Sequence, residues 1–178
     1  MQPEFTRVLT EDQITATAST ILTQQSEEGM ILWFPDGHAD TWNHTEAAMA
    51  LSAAGFVDGA ERAYEWLAKT QRSDGSWHHY YLLDRVEDAK VDTNCCAYVA
   101  TGVWHHYLTT ENLTFLKDMW PVVKCSLDFV VDHQSAAGHI PWAVHANGTP
   151  WSYSLITGSS SIYHSLRCGI AIAHRLDE

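Results

Sequence analysis

The sequence predicts an all-α fold of antiparallel helical hairpins, and three observations carry that expectation. First, one element occurs three times: a glutamine, a glycine four residues later, and a large apolar residue two positions beyond it. The copies are Gln25…Gly29…Ile31, Gln71…Gly75…Trp77 and Gln134…Gly138…Ile140. The glutamines lie 46 and 63 residues apart, enough for a pair of helices and a connecting loop. Second, apolar residues recur at helical spacing in the segments between the copies. Third, the connections alternate. They are two or three residues long at Gly55-Phe56 and around Thr109, but long near 26–42, 71–91 and 134–158. An up-and-down array with that alternation gathers all three long loops at one end.

Each helix follows from local signals. Ile14, Ala18, Ile21 and Leu22 share a face between Glu11 and Gln25, with Thr10 as N-cap. A second helix is expected from Asn43, where Asn43 and Glu46 have the form of a capping box, to the stop at Gly55. Val57 to Thr70 repeats the pattern through Val57, Ala60, Tyr64 and Leu67. Asp92 or Thr93 caps a fourth helix to Tyr107, apolar nearly all round and so expected to be an inner helix. Phe115, Leu116 and Met119 open a fifth segment. Pro121 is best placed in the first turn of a longer stretch to Val131, which predicts a kink or restart at Trp120-Pro121. A sixth helix runs from about Ser160 to Leu176.

Composition narrows the function. A chain of 178 residues with 46% hydrophobic content fits a single domain over 1–178. The net charge of −12, from 10 Lys+Arg against 22 Asp+Glu, leaves no basic surface for nucleic acid or an anionic bilayer. No apolar run approaches the roughly 20 residues of a membrane span. The polar start Met1–Phe5 has no signal-peptide form, so the chain reads as cytoplasmic. Cys95, Cys96, Cys125 and Cys168 fall in apolar helical patterns without paired zinc spacing. They read as reduced core residues, and neither metal nor cofactor is expected.

Several segments resemble known families. Gln71–Trp77 is similar to a turn that recurs in squalene and other terpene cyclases. Phe115–Phe129 resembles a helix of six-hairpin glycosidases. Asp40–Ala50, Thr93–Tyr98 and Gly158–Arg167 resemble bacterial proteins labelled prenyltransferase-like. The first two families share an (α/α)6 toroid. The resemblance therefore implies part of such a ring, with about six of twelve helices present, the arc of an N-terminal half. A C-terminal half or a second copy would complete it. The family label describes a fold rather than a reaction.

The long loops hold Trp33, Trp42, Trp77, Trp142 and Trp151 together with His38, His78, His79, His139 and His145. Loops normally run polar over a surface, so this enrichment points to a ligand cleft. The aspartate clusters expected of either terpene-cyclase class are absent, and base-poor loops suit diphosphate badly. Glycoside hydrolysis needs two carboxylates flanking the scissile bond, roughly 6.5–9.5 Å apart in inverting enzymes, with aromatic platforms for the rings. Asp36 and Asp40 lie in the first long loop, Glu87 and Asp88 in the second, and Gln134 to Ser154 holds no acid. These four are the candidate catalytic residues. The candidate substrate contacts are Trp33, His38, Trp42 and His44 near the first loop, Trp77 and His78 in the second, and Trp142 and Trp151 in the third. Asp40 or Asn43 with Glu46 are equally helix caps, as is Asp92, and Glu87-Asp88 sits in a charged run typical of a solvated loop. The favoured reading is an inverting glycoside hydrolase-like protein acting on a carbohydrate. An isoprenoid enzyme and a non-catalytic half-toroid that binds a glycan or a protein are the alternatives.

Overall fold

A computed structural model of the chain describes residues 8–178, so the Met1–Phe5 start lies outside the described residues. Among the described residues there are six helices: α1 (Glu11–Thr23), α2 (Thr41–Ala53), α3 (Val57–Thr70), α4 (Thr93–Thr110), α5 (Leu113–Asp132) and α6 (Ile156–Leu176); α2 with α3 and α4 with α5 form tight hairpins, flanked by α1 and α6. α2, α4 and α6 pack side by side as one row, and α1, α3 and α5 lie against that row. α4 is the middle of the row. Its Cys96, Ala97, Val99, Ala100 and Val103 are all buried, as its unbroken apolar pattern predicts. No helix among the described residues is long and apolar enough to cross a membrane.

The repeated glutamine–glycine element is the joint between hairpins. Gln25 Nε2 donates to Gly29 O at 3.1 Å and to Gly59 O on α3 at 2.9 Å. Gln71 Nε2 donates to Gly75 O at 3.0 Å and to Val122 O on α5 at 2.9 Å. Gln134 Nε2 donates to Gly138 O at 2.8 Å. The three glycines take φ of +101°, +87° and +89°, the region where a Cβ is strained. At two of them the neighbouring backbone also leaves no room. A Cβ on Gly29 would stand 2.2 Å from Arg62 O, and one on Gly75 2.2 Å from Cys125 O.

Helix boundaries follow the sequence except where tertiary contacts decide. Thr10 caps α1 in a reciprocal pair with Gln13, as expected. α2 starts at Thr41, not Asn43. Asp40 is its cap, and Glu46 accepts the Tyr98 hydroxyl at 3.3 Å instead of closing a capping box. α5 is one helix with Pro121 inside it rather than two. Both Pro121 and Lys117, whose carbonyl the missing N–H orphans, face solvent, so water satisfies that carbonyl. α6 begins a turn early, at Ile156. Of the cysteines, Cys96 and Cys168 are buried and Cys95 is partly so, but Cys125 lies on the exposed side of α5, contrary to the core reading.

Candidate functional site

Ladders two or three residues long, too short to show an alternating pattern, lace the three long loops together. Within the second loop β1 (Tyr80–Tyr81) pairs with β2 (Val86–Asp88). Ala39 in the first loop exchanges both backbone bonds with Tyr81 at 2.9 Å, joining loops one and two. β3 (Val91–Asp92) pairs with β4 (Ala143–Val144), joining loops two and three. The Thr93 hydroxyl fastens that seam by donating to Pro141 O at 2.7 Å. The loops thus form one continuous cap over the N-termini of α2, α4 and α6. Three helix dipoles there present their positive ends, a setting that favours ionised carboxylates.

Asp40 anchors the first-loop side. It is 3% exposed and accepts three hydrogen bonds: Asn43 N–H on Oδ1 at 2.8 Å, and Asn43 Nδ2 and Trp33 Nε1 on Oδ2, each at 2.8 Å. Trp33 is 46% exposed, a ring face held in place by its own indole N–H. His38 Nδ1 lies 2.8 Å from Glu87 Oε2, so an imidazole from loop one meets a carboxylate from loop two. His38 stacks on Tyr80 with ring centroids 4.2 Å apart and meets Trp33 edge-on at 4.8 Å. Trp42 on α2 stacks on Tyr98 of α4 at 3.8 Å. Burial and Glu46 push the Tyr98 phenol up to about 12, so it stays a donor.

The second and third loops supply the rest. Partial burial opposes ionisation of Asp88, but the Lys90 N–H and ammonium hold its carboxyl below the usual range. Asp92, equivalent on α4 to Asp40 on α2, caps its helix through Cys95 N–H at 3.0 Å. Burial raises its carboxyl. Burial likewise raises the Cys95 thiol well above its ordinary value and lowers the His79 imidazole. Ligating atoms of His79, Asp92 and Cys95 all lie within 4.8 Å of one another. On the third loop Trp142 meets Trp151 edge-on at 5.3 Å, Tyr153 lies against both, and Lys90 Nζ sits 5.9 Å from the Trp151 ring centre. Five buried polar atoms at this end have no hydrogen-bond partner among the described residues: His38 Nε2, His79 Nδ1, Asn94 Oδ1, Ser154 Oγ and Ser161 Oγ. A region so under-satisfied is set up for a polar ligand or ordered water.

Of the residues expected from sequence, the lacing brings Trp33, His38, Asp40, Trp42, Glu87 and Asp88 to the cap, with Trp142 and Trp151 on its third-loop side. Others lie elsewhere. Trp77 is 1% exposed and donates its indole N–H to Leu67 O at 3.0 Å, closing the end of α3 in the core. His44 is 1% exposed, accepts Ile31 N–H on Nδ1 at 3.1 Å and donates from Nε2 to Ala63 O at 2.9 Å. Burial depresses it to about 4, and it is a structural crosslink out of reach of a ligand. Asp36 sits in a surface turn at φ +59° and lines a separate groove with Gln24, Pro35 and Leu83. His78 is half-buried and spends its ring N–H on Ala89 O inside the second loop. The cap also holds His79, already counted in the loop enrichment, with Tyr80 and Asp92 beside it. Tyr80 and His79 stood next to the noted His78, while capping alone accounted for Asp92.

No family model matches the chain. It is 47% identical over 176 residues to the MMP endo-(1,4)-3-O-methyl-alpha-D-mannosidase of Mycolicibacterium hassiacum, a match covering 99% of this chain and 49% of that protein. The chain thus spans about half the length of that curated relative. Among solved structures, the cellobiose 2-epimerase of Bacillus thermoamylovorans superposes with a TM-score of 0.65 at 18% identity, over 92% of this chain and 47% of the epimerase. The endo-beta-1,4-glucanase CMCax of Acetobacter xylinum superposes with a TM-score of 0.63 at 9% identity, over 89% of this chain and 53% of the glucanase. At such identities the likeness speaks for the fold. The six helices form part of an (α/α)6 toroid of the kind those structures contain. The prenyltransferase-like label finds no support in these comparisons.

Proposed function

We propose that the loop cap is the glycan-binding and hydrolysing face of an inverting glycoside hydrolase-like enzyme. The observation that carries this reading is the lacing itself, which brings carboxylates of the first two loops (Asp40, Glu87, Asp88) among exposed or half-exposed rings (Trp33, Tyr80, Trp42, Trp151). Sugars offer apolar ring faces and many hydroxyls, which aromatic platforms and unpartnered polar atoms complement. Asp40 is held as an acceptor by its three donors and is the base or hydroxyl-orienting carboxylate. Asp88, half-exposed and held ionised by Lys90, is the carboxylate that would activate water, which leaves Asp40 to orient a substrate hydroxyl. Glu87 acts by fixing the tautomer of His38. The mannosidase relative points to the substrate class, an α-(1→4)-linked mannose oligosaccharide carrying 3-O-methyl groups.

Ring completion belongs to the same proposal. Among the described residues Gln134 holds one carbonyl where Gln25 and Gln71 hold two, and a Cβ on Gly138 would meet nothing within 4 Å. The third joint therefore has the form of a seat for the next outer helix of a ring, and a relative of twice this length contains enough chain for one. Incubating the native protein with methylated and unmethylated mannose oligosaccharides tests the activity. Turnover should fall by about 100-fold or more in Asp88→Asn. Absence of turnover on any glycan, or hydrolysis unchanged in that variant, overturns the assignment. Binding without turnover, surviving removal of Asp40, Glu87 and Asp88, would instead make the cap a lectin-like surface.

A further inference from the structure

The hairpin that leads into α4 brings three side chains of ligand type to one point. His79 lies just before β1, with its backbone N–H bonded to Lys90 O at 2.7 Å and Asp88 O at 3.1 Å. Asp92 ends β3 and caps α4, and Cys95 stands in the first turn of that helix. A ring nitrogen of His79, a carboxylate oxygen of Asp92 and Cys95 Sγ are mutually within 4.8 Å. Two features distinguish this trio from ordinary packing. His79 Nδ1 is buried with no hydrogen-bond partner among the described residues, an unsatisfied state that a ligand or ordered water would relieve. Asp92 is 4% exposed, and its carboxylate, which accepts the Cys95 N–H on Oδ1, also bonds the Cys95 thiol, a contact that a bridging ion would replace. Asp40 and Asp88 add negative field at His79, opposed by Lys90 alone among the charged groups that act on it.

We infer that His79, Asp92 and Cys95 form a binding site for a borderline transition-metal dication, with Zn2+ the ion that the ligand set fits best. Thiolate, imidazole and carboxylate together are a zinc-type donor set, whereas Mg2+ and Ca2+ take oxygen alone. Zinc bond lengths of about 2.0–2.3 Å put tetrahedral ligands about 3.5 Å apart, so the three side chains close by roughly 1 Å around the ion. Three protein ligands leave the fourth tetrahedral position for water or a ligand oxygen. Binding converts the Cys95 thiol to a zinc thiolate: the S–H bond breaks, an S–Zn bond forms, and one proton passes to the buffer. The ion would tie the second long loop to the first turn of α4, satisfying His79 and stiffening the floor of the cap. The inference does not depend on the glycan reading, because it rests on the donor atoms and not on the cleft.

The test uses the chain stripped with a chelator and then titrated with Zn2+ alone by calorimetry and with Co2+ by absorption. The expected result is one ion per chain with a Kd of about 1 µM or tighter, release of one proton per Zn2+, and a thiolate-to-cobalt charge-transfer band. Cys95→Ser should abolish the band, and both Cys95→Ser and His79→Gln should weaken Zn2+ binding by about 10–100-fold. Cys125→Ser, on the exposed side of α5, should change nothing. Circular dichroism checks that each variant folds. If Cys95→Ser does not fold, His79→Gln and the charge-transfer band of the parent chain carry the same reading. Millimolar or substoichiometric binding, a missing charge-transfer band, or affinities equal in parent and folded variants would overturn the site.

Discussion

The first two glutamine–glycine joints and the third are built from the same residues and differ in what they hold. Gln25 and Gln71 each bond their own glycine and a carbonyl of the next outer helix, and Gly29 and Gly75 lie so close to that helix that a Cβ would strike its backbone. Gln134 and Gly138 make the same turn with open space beside them among the described residues. The turn is therefore encoded locally, and the grip on a neighbour is a second function of the same residues. The joint is scaffold. Its service to the site is to end α1, α3 and α5 at one level, so that the loops that follow can be laced together.

The sharpest way to break this comparison is to add one methyl group. Gly75→Ala should destabilise the chain by about 3 kcal/mol or more, because it combines positive φ with a backbone clash. Gly138→Ala, strained but unobstructed, should cost about 1 kcal/mol. Equal losses in urea melts would contradict the contact argument.

Acid should loosen the first joint selectively, because His44 reaches beneath it to accept the Ile31 N–H. Its folded pKa is depressed to about 4 from 6.5, so the neutral ring's contribution is complete above pH 6.5 and is lost as pH falls toward 4. The full difference is about 3 kcal/mol. Denaturant melts across that window, with amide exchange faster at Ile31 than at Trp77, are the expected outcome. A flat profile in the parent, or an unchanged one in His44→Gln, would remove His44 from the joint.

Truncating the glutamines gives smaller effects. Gln71→Ala should cost about 2 kcal/mol by leaving two carbonyls unpaired, and Gln134→Ala about 0.5 kcal/mol in this chain. With the helices that complete a ring present, the Gln134 value should rise to match that of Gln71. A Gln134 effect that stays small in the closed ring would contradict the proposed seat.

The joints also show what a sequence can and cannot disclose. Thr10 before α1, Asp92 before α4 and the glutamine–glycine turns are legible because each is a local hydrogen-bond arrangement with fixed spacing. The start of α2 is not: Asp40 and Asn43 are both good caps, and the Trp33 indole seven residues upstream holds the Asp40 carboxylate in place. Trp33 and Trp77 look alike as loop tryptophans. One stands 46% exposed over a carboxylate, while the other turns inward to the last carbonyls of α3. The lacing strands are two or three residues long and leave no alternating pattern. The approach of His79 to Asp92 and Cys95 depends on that hairpin, so residue spacing alone could not reveal it.

On the proposed function, the joints gather a cap whose loop-one and loop-two carboxylates act on a glycan with inversion. Proton NMR of the anomer first released from an α-(1→4)-linked mannose oligosaccharide, by the native protein and by its Asp40→Asn variant, tests it most directly. The expected result is the β-anomer as first product and a loss of about 100-fold or more in rate for the variant. An α-anomer released first, or a variant as fast as the parent, would contradict it.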